Sequence, residues 1–321
     1  MATINSLMKH LRANGVHISG STQKRKLRKI GYYHGYKGYR FAGKASNRLP
    51  IGDFDEIVAL HDFDMGVKSL FYSRLMQVET ALKNRVLEAV LAHSPSERFE
   101  DVYRSCLTAY KCCGKKAYRA AWSSRLRLRT EVYQLIAANH DRKAVIGHFR
   151  DLDRDVPIWA IFEVMMLGTF GLFYSCLHED IKREVCDGMG MPSGPLDSSS
   201  VLKKMIFAFK DLRNAVAHNG VVLDVRFKTG AVHKTVGELL EGEMELQGVD
   251  FGDIVDYALM LAYLMAGLGF TKTECKQFLQ GFEELLERHR NALPYDIYSQ
   301  YVKTQTRAKL AAARNFVSQR L

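Results

Sequence analysis

Apolar residues recur every three or four positions over most of the chain, which is the spacing of one face of an α-helix. The longest run predicts a single helix over residues 55–92, and no proline interrupts it. Shorter runs of the same kind predict the remaining helices. These cover residues 3–14, 20–30, 97–110, 116–148, 199–219, 252–268, 272–291 and 296–320. The pattern is typical of a mainly α protein.

One small β-hairpin interrupts this helical pattern. It is predicted at about residues 221–236, where VVLDVRF and AVHKTV flank the turn KTG. Runs rich in β-branched residues on both sides of a glycine-containing turn favour such a hairpin. The fold class expected is therefore a helical bundle with one small β-hairpin insertion.

The most apolar segment is residues 158–177, which is long enough to span a bilayer. It contains Glu163, and Gly168 and Gly171 interrupt the run. A charged residue in a membrane span is costly. The segment is therefore predicted to be a pair of buried helices that begins after Pro157, and no membrane partner is expected.

The composition is that of a globular protein, with 47% apolar and 25% charged residues in 321 positions. A net charge of +11 and a pI near 9.3 indicate a polyanionic partner. The positive charge is concentrated in three blocks. Residues 1–52 carry eleven Lys and Arg and no acid, residues 102–130 are also free of acid, and a third basic block follows Asp296. Such a charge surplus favours nucleic acid or an anionic membrane surface as the polyanion. Separated blocks favour a long anionic ligand over one small phosphate compound, and the partner expected is RNA.

These blocks suggest a three-part organisation: a basic, tyrosine-rich arm at 1–52, a helical domain at 53–295 and a basic C-terminal helix at 296–321. In the arm, tyrosines alternate with cations, so that rings could stack on bases while lysines and arginines hold phosphates. The alternative is that the tyrosines pack on the edge of a domain. The candidate RNA-binding residues are Lys24, Arg25, Lys26, Arg28, Lys29, Tyr33, Tyr36, Lys37, Arg40, Arg125, Arg127 and Arg129.

The six cysteines form no CxxC pair, and no paired ligands occur at zinc-finger spacing. The first residues contain no apolar run of the kind found in a signal peptide. The expectation is a cytoplasmic protein with free thiols, no structural metal and no cofactor.

The residues that stand out chemically are Arg213, Asn214 and His218, near the end of a predicted helix. Asn214 and His218 are one turn apart and share a face. Arg213 lies about 140° from His218 around the helix, but its side chain is long enough to reach a phosphate beside the imidazole. The alternative is that all three residues only cap the helix.

This combination suits RNA transesterification. The negative end of the helix dipole favours the protonated form of a histidine in the last turn. Such a histidine can take the proton of a ribose 2′-OH or protonate the leaving 5′-oxygen. Arg213 would stabilise the charge on the pentavalent phosphorus, and no metal is required. The products would carry a 2′,3′-cyclic phosphate and a 5′-hydroxyl, and DNA would resist cleavage.

The motif resembles the R-x4-6-H motif of HEPN ribonucleases, in its RN-xxx-H form. The chain as a whole resembles the Abi (abortive infection) family of bacterial anti-phage proteins, which is similar to the HEPN nucleases of RNA-targeting CRISPR effectors. The segments that carry the resemblance are 11–41, 54–86, 157–177 and 212–227.

The resemblance implies a HEPN-like helical bundle and a metal-independent endoribonuclease that acts in antiviral defence or as a toxin. It also implies a homodimer, in which two Arg213/His218 pairs meet across a two-fold axis. The charge of the three basic blocks, and not the resemblance, suggests that they could hold an inhibitory structured RNA as readily as a substrate. Glu79 and Glu163 are expected to be buried carboxylates that orient Arg213 or His218. The alternative for them is a buried pairing with Arg74, Lys83 or Arg85.

Two other functions stay open. A non-catalytic RNA-binding or sensor protein would use Arg213 and His218 only to grip phosphate. A HEPN partner of a nucleotidyltransferase would need a tyrosine shortly after the histidine. Asn219, Gly220 and Val221 stand there instead, which disfavours the second alternative.

Overall fold

The computed structural model describes residues 3–321, and helices dominate this part of the chain. The sequence therefore predicted the mainly α class correctly. The helices are α1 (Ile4–Ala13), α2 (Gly20–Tyr32), α3 (Phe54–His93), α4 (Phe99–Ser105), α5 (Lys115–Asn139), α6 (Ala144–Asp151), α7 (Ile158–Val164), α8 (Leu167–Cys176), α9 (Glu179–Gly188), α10 (Ser198–Ala217), α11 (Lys234–Met244), α12 (Ile254–Gly267), α13 (Lys272–Ala292), α14 (Tyr295–Tyr298) and α15 (Thr306–Arg320).

The long helix α3 forms where the sequence pattern predicts it. Its apolar stripe, from Ile57 to Val90, is buried almost without interruption. Gly66 lets α13 approach closely, because a Cβ at this position would lie 2.5 Å from Cδ2 of Leu285. A larger residue at position 66 would therefore force the Leu285 side chain to move.

The predicted pair of buried helices after Pro157 is confirmed as α7 and α8. The two helices are separated at Met165 and Met166, and nearly all of α8 is buried. Within residues 3–321, no helix combines the length and the apolar character needed to cross a bilayer.

The predicted β-hairpin at 221–236 is wrong. Residues 221–233 form turns and irregular backbone, α11 begins at Lys234, and no strand occurs in the described chain. The amides of Val222 and Leu223 donate to Asp64 Oδ1 on α3, at 2.7 and 2.9 Å, instead of to a partner strand. Val221, Val222 and Leu223 are all buried, so their side chains do not alternate between a core and a solvent face as in a half-buried hairpin.

The predicted C-terminal helix at 296–320 is two helices, α14 and α15, with a break at residues 299–305. Asp253 stabilises this break, because its Oδ2 accepts hydrogen bonds from the Lys303 amide at 3.3 Å and the Thr306 hydroxyl at 3.5 Å. The predicted helix at 116–148 is likewise interrupted, between α5 and α6.

The chain forms two compact units. One contains residues 3–75, 211–266 and 270–321, and it is called unit 1 below; unit 2 contains residues 76–210 and 267–269. The core of unit 1 includes the ring cluster of Phe71, Phe278 and Phe282. In unit 2, Phe162 packs edge-on against the ring of Phe173 between α7 and α8. All six cysteines are free thiols, as predicted.

Candidate functional site

The three motif residues lie at the C-terminal end of α10. The His218 amide donates to the Asn214 carbonyl at 2.9 Å, which continues the helical pattern by one residue. Asn219 then adopts a left-handed conformation with φ of 54°, and the Gly220 amide donates to the Ala215 carbonyl at 2.7 Å. This is the hydrogen bond that closes a helix at its C-terminus. The helix predicted at 199–219 therefore ends within two residues of its predicted boundary.

Arg213 and Asn214 are in direct contact, since Arg213 Nη1 donates to Asn214 Oδ1 at 3.3 Å. Both side chains are half-buried, whereas His218 is exposed. The imidazole of His218 makes no hydrogen bond within the described chain, so both ring nitrogens are open to solvent. Ala217, beside it, is also exposed and presents only a methyl group. The site combines an exposed imidazole with a half-buried guanidinium that is bonded to an asparagine.

A buried ion pair on α3 fixes the backbone that follows His218. Asp64 is 0% exposed and Lys68 is 4% exposed, and Lys68 Nζ lies 2.8 Å from Asp64 Oδ2. Lys68 Nζ also donates to Asn219 Oδ1 at 2.6 Å and to the Gly220 carbonyl at 3.3 Å. We call Asp64 and Lys68 the clamp. Together with the Asp64 bonds to the amides of Val222 and Leu223, the clamp binds four residues of this segment: Asn219, Gly220, Val222 and Leu223.

Residues of the N-terminal segment complete this arrangement. The hydroxyl of Tyr39, a buried residue, donates to Asp64 Oδ2 at 3.1 Å. The Gly43 amide donates to Asp224 Oδ2 at 2.8 Å, and Asp224 is also paired with Arg226. Arg226 stacks 4.3 Å above the ring of Phe41. The N-terminal segment therefore supports the loop that follows the motif.

Sequence reasoning missed the clamp. The available signal was an acid and a lysine four residues apart within the buried stripe of α3, between Leu60 and Phe71. Charged residues in such a stripe need partners. The identity of those partners, more than 150 positions along the chain for Lys68 and Asn219, is not visible in the sequence.

Two histidines lie close to the clamp. The rings of His34 and His61 are 6.3 Å apart, and the Nδ1 of His34 is buried with no hydrogen-bond partner. Burial lowers the pKa of His34, and the positive charge of Lys68 lowers it further. Burial and the adjacent Asp64 carboxylate raise the pKa of Tyr39.

The predicted RNA-binding residues of the N-terminal segment fall into two groups. Tyr36 is only 2% exposed and packs against the ring of His10, which favours domain-edge packing for this tyrosine. Tyr33, in contrast, is 53% exposed. Lys26 pairs with Asp55 at 2.8 Å. The residues of this segment that are at least partly exposed and have no carboxylate partner in the described chain are Lys24, Arg25, Arg28, Lys29, Lys37 and Arg40.

The three predicted arginines of unit 2 differ from one another. Arg125 is buried, with an exposed fraction of 7%. Arg129 pairs with Glu100 at 3.0 Å, and Arg127 lies 3.5 Å from Glu131. Arg127 is the most exposed of the three, so it is the one best placed to meet a large polyanion.

The two predicted carboxylates also differ. Glu79 is nearly buried and pairs with Lys83 at 3.0 Å, which confirms the alternative of a buried pairing on α3. Lys83 Nζ in turn donates to the Met165 carbonyl at 2.6 Å. The expectation that Glu163 is buried is wrong, because it lies on the solvent face of α7 while Ile161 and Phe162 point inward. An orienting role toward the motif stays a prediction for both carboxylates. Within residues 3–321, no three His, Cys, Asp or Glu side chains are grouped to hold a metal ion.

The fold and this site define a mainly helical protein with an exposed histidine beside an arginine–asparagine pair. The sequence model of the Abi-like protein family matches residues 25–224, which is more than half of the chain. The chain therefore belongs to the Abi-like protein family, as its resemblance to the Abi family predicted. No curated protein and no solved structure matches it. Membership indicates a role in abortive infection, the antiviral response of bacteria.

Proposed function

We propose that this Abi-like protein is a metal-independent endoribonuclease of the HEPN type that cuts RNA in abortive infection or as a toxin. The observation that carries the proposal is the exposed His218 next to the bonded Arg213–Asn214 pair at the end of α10. An accessible imidazole and a guanidinium at a helix end supply the proton transfer and the charge that phosphodiester cleavage needs.

The chemistry begins with neutral His218, which accepts the proton of a ribose 2′-OH. The 2′-oxygen attacks the adjacent phosphorus, and a bond forms between them as the bond from phosphorus to the 5′-oxygen breaks. A protonated imidazole returns a proton to the leaving 5′-oxygen. Arg213 donates hydrogen bonds to the phosphoryl oxygens, where negative charge increases in the transition state. The products carry a 2′,3′-cyclic phosphate and a 5′-hydroxyl.

Two proton transfers on opposite sides of a phosphorus are most readily served by two imidazoles. One chain supplies one motif, so we propose that a second copy supplies the other across a two-fold axis. The exposed Ala217 next to His218 supports this, because a methyl group permits close approach of a second helix. Asn214, bonded to Arg213, would keep the guanidinium aimed at the shared phosphate.

The RNA itself would be held by the uncompensated cations of α2. Arg25, Arg28 and Lys29 are exposed, and none has a carboxylate partner in the described chain. Such cations bind phosphates without reading sequence. A structured RNA that occupies this surface would also restrain the nuclease in a healthy cell.

Expression in bacteria tests the proposal. Wild type should arrest growth and fragment total RNA, whereas stably folded Arg213→Ala and His218→Ala variants should do neither. His148→Ala is the matched control, because His148 is another exposed histidine with no hydrogen bond in the described chain. It should behave like wild type. Motif variants that fragment RNA as wild type does would contradict the proposal.

A non-catalytic RNA-binding or sensor protein is the second candidate. The uncompensated cations of α2 favour it, since binding through them needs no chemistry at His218. In that case Arg213 and His218 only grip phosphate. This candidate predicts that His218→Ala leaves any toxicity unchanged and that no RNA is cut.

A further inference from the structure

Unit 2 contains a cleft that is not part of the candidate ribonuclease site. Its volume is about 400 Å³, and every lining residue lies between positions 107 and 203. Parts of α5, α8 and the first turn of α10 form its walls. Sites for small molecules commonly have volumes of about 300–1,000 Å³.

A buried arginine lines this cleft. Arg125 is 93% buried. Its guanidinium donates two hydrogen bonds, from Nε to the Leu107 carbonyl and from Nη2 to the Tyr103 carbonyl, both at 2.7 Å. The guanidinium carbon lies 3.6 Å from the centre of the Tyr103 ring. Carbonyl groups and rings hold the guanidinium in place, but no carboxylate in the described chain pairs with Arg125. A buried charge without a counter-ion is costly, and an anionic ligand would lower that cost.

The N-terminus of α10 opens into the same cleft. Ser199 and Ser200, in its first turn, line the wall, and that turn contains no acidic residue. The first amides of a helix have no helical acceptor and carry partial positive charge. Asp197 accepts one of them, from Ser199 at 3.2 Å. The hydroxyl of Ser200 and the first-turn amides that Asp197 does not bind are donors of the kind that bind phosphate.

Two lysines add to the positive charge. Lys203 is exposed at the cleft and has no ion-pair partner in the described chain. Lys182 is buried and pairs with Glu179 at 2.8 Å. Burial raises the pKa of the Cys176 thiol to about 11, while Lys182, Arg125 and Lys203 act in the opposite direction. The charges of these cations therefore converge at Cys176, which also lines the cleft.

We propose that this cleft binds a small phosphate-bearing ligand of the size of a nucleoside monophosphate. The phosphate lies between Arg125, Lys203 and the first turn of α10. The lining also includes the half-buried Tyr110, whose ring centre lies 5.1 Å from the guanidinium carbon of Arg125. Because none of these residues belongs to the Arg213–His218 site, the proposal does not depend on the ribonuclease activity.

Calorimetric titration of the full-length protein tests this site, with adenosine 5′-monophosphate, inorganic phosphate and adenosine as probes. The nucleotide should bind, phosphate should bind more weakly and compete with it, and adenosine should not bind measurably. Equal affinity for adenosine and its monophosphate would overturn the role of the phosphate. Absence of binding by the nucleotide and by phosphate, or binding of 5′-phosphorylated RNA alone, would overturn the proposal.

Two variants locate the binding. Lys203→Glu should weaken nucleotide binding at least about tenfold, because a charge-assisted hydrogen bond contributes about 1.5–3 kcal/mol. Lys276→Glu makes the same change at an exposed lysine of α13 in unit 1 and should leave the affinity unchanged. Arg125→Lys, checked by circular dichroism, should also weaken binding. Equal affinities in wild type and Lys203→Glu would place the ligand elsewhere.

Discussion

Among individual residues, Asp64 and Lys68 of the clamp hold the chain segment next to the motif. Each residue neutralises the charge of the other and also forms hydrogen bonds with the chain segment that follows His218. Removing one member of a buried ion pair leaves the other as an uncompensated charge, which is far more costly than losing an exposed pair. The clamp therefore couples the stability of unit 1 to the geometry of the motif.

Lys68→Met tests this coupling. It leaves Asp64 buried without its cation and removes the bond to Asn219, so we expect the free energy of unfolding to fall by about 3–5 kcal/mol. RNA cleavage should be lost with it. Urea unfolding measures the stability change, and Lys276→Met, at an exposed lysine, is the control with no expected effect. A change below about 0.5 kcal/mol in Lys68→Met, the range of neutral surface substitutions, would show that the clamp is not structural.

His289 gives unit 1 a sensitivity to acid. It is buried, stacks 4.1 Å from the ring of Phe63, and its Nε2 lies 2.6 Å from the Tyr301 hydroxyl. Burial lowers its pKa to about 3. Between this pKa and the ordinary histidine pKa of 6.5, the unfolded chain therefore binds a proton that the folded chain does not bind. The contribution of His289 to the free energy of unfolding is complete above pH 6.5 and decreases as the pH drops toward 3.

His289→Phe removes this titration. Between pH 6.5 and 5, wild type should lose up to about 1.4 kcal/mol of stability per pH unit more than the variant. Urea unfolding at a series of pH values measures the difference. Parallel pH profiles for the two proteins would show that His289 is not the group responsible.

Among the elements, α10 positions Arg213 and Asn214, and its C-terminal end depends on Asn219. A left-handed conformation costs a non-glycine residue about 1–2 kcal/mol, although asparagine adopts it more readily than most. Asn219→Ala should therefore lose both conformational tolerance and the bond to Lys68. Asn219→Gly loses only the bond. We expect thermal unfolding to show Asn219→Ala as the less stable variant, and the reverse order would contradict this account of the helix stop.

A local pattern of apolar residues predicts some secondary-structure elements of this chain and not others. The spacing of apolar residues predicted α3 and α10 closely, because their buried stripes are set by neighbours three and four positions away. The hairpin prediction failed because the amides of Val222 and Leu223 bond to Asp64, a residue 158 and 159 positions away. The burial of Arg125 and Tyr36 could not be predicted from the local sequence pattern either, because it too depends on residues outside that pattern. The motif itself was recognisable, since Arg213, Asn214 and His218 lie within two turns of one helix.

At the scale of the whole molecule, the excess of positive charge predicts salt-dependent RNA binding. Arg25, Arg28 and Lys29 of α2 are exposed and without carboxylate partners in the described chain. Replacing all three with alanine should reduce the slope of log affinity against log salt concentration by about 2, at about 0.7 per phosphate contact with a single strand. Fluorescence anisotropy with labelled RNA measures the slope. Lys276→Ala should leave it unchanged, and an unchanged slope in the triple variant would place RNA on another surface.

The chemistry at the ends of the RNA products distinguishes transesterification from other routes of cleavage. Purified protein and a defined single-stranded RNA are incubated in the presence of a chelator, with an RNA that carries one 2′-deoxy nucleotide at the cleavage position alongside. Transesterification by His218 predicts fragments with a 2′,3′-cyclic phosphate and a 5′-hydroxyl, no cleavage at the deoxy position, and no cleavage by His218→Ala. Fragments with a 5′-phosphate, or equal cleavage at the deoxy position, would contradict transesterification by His218.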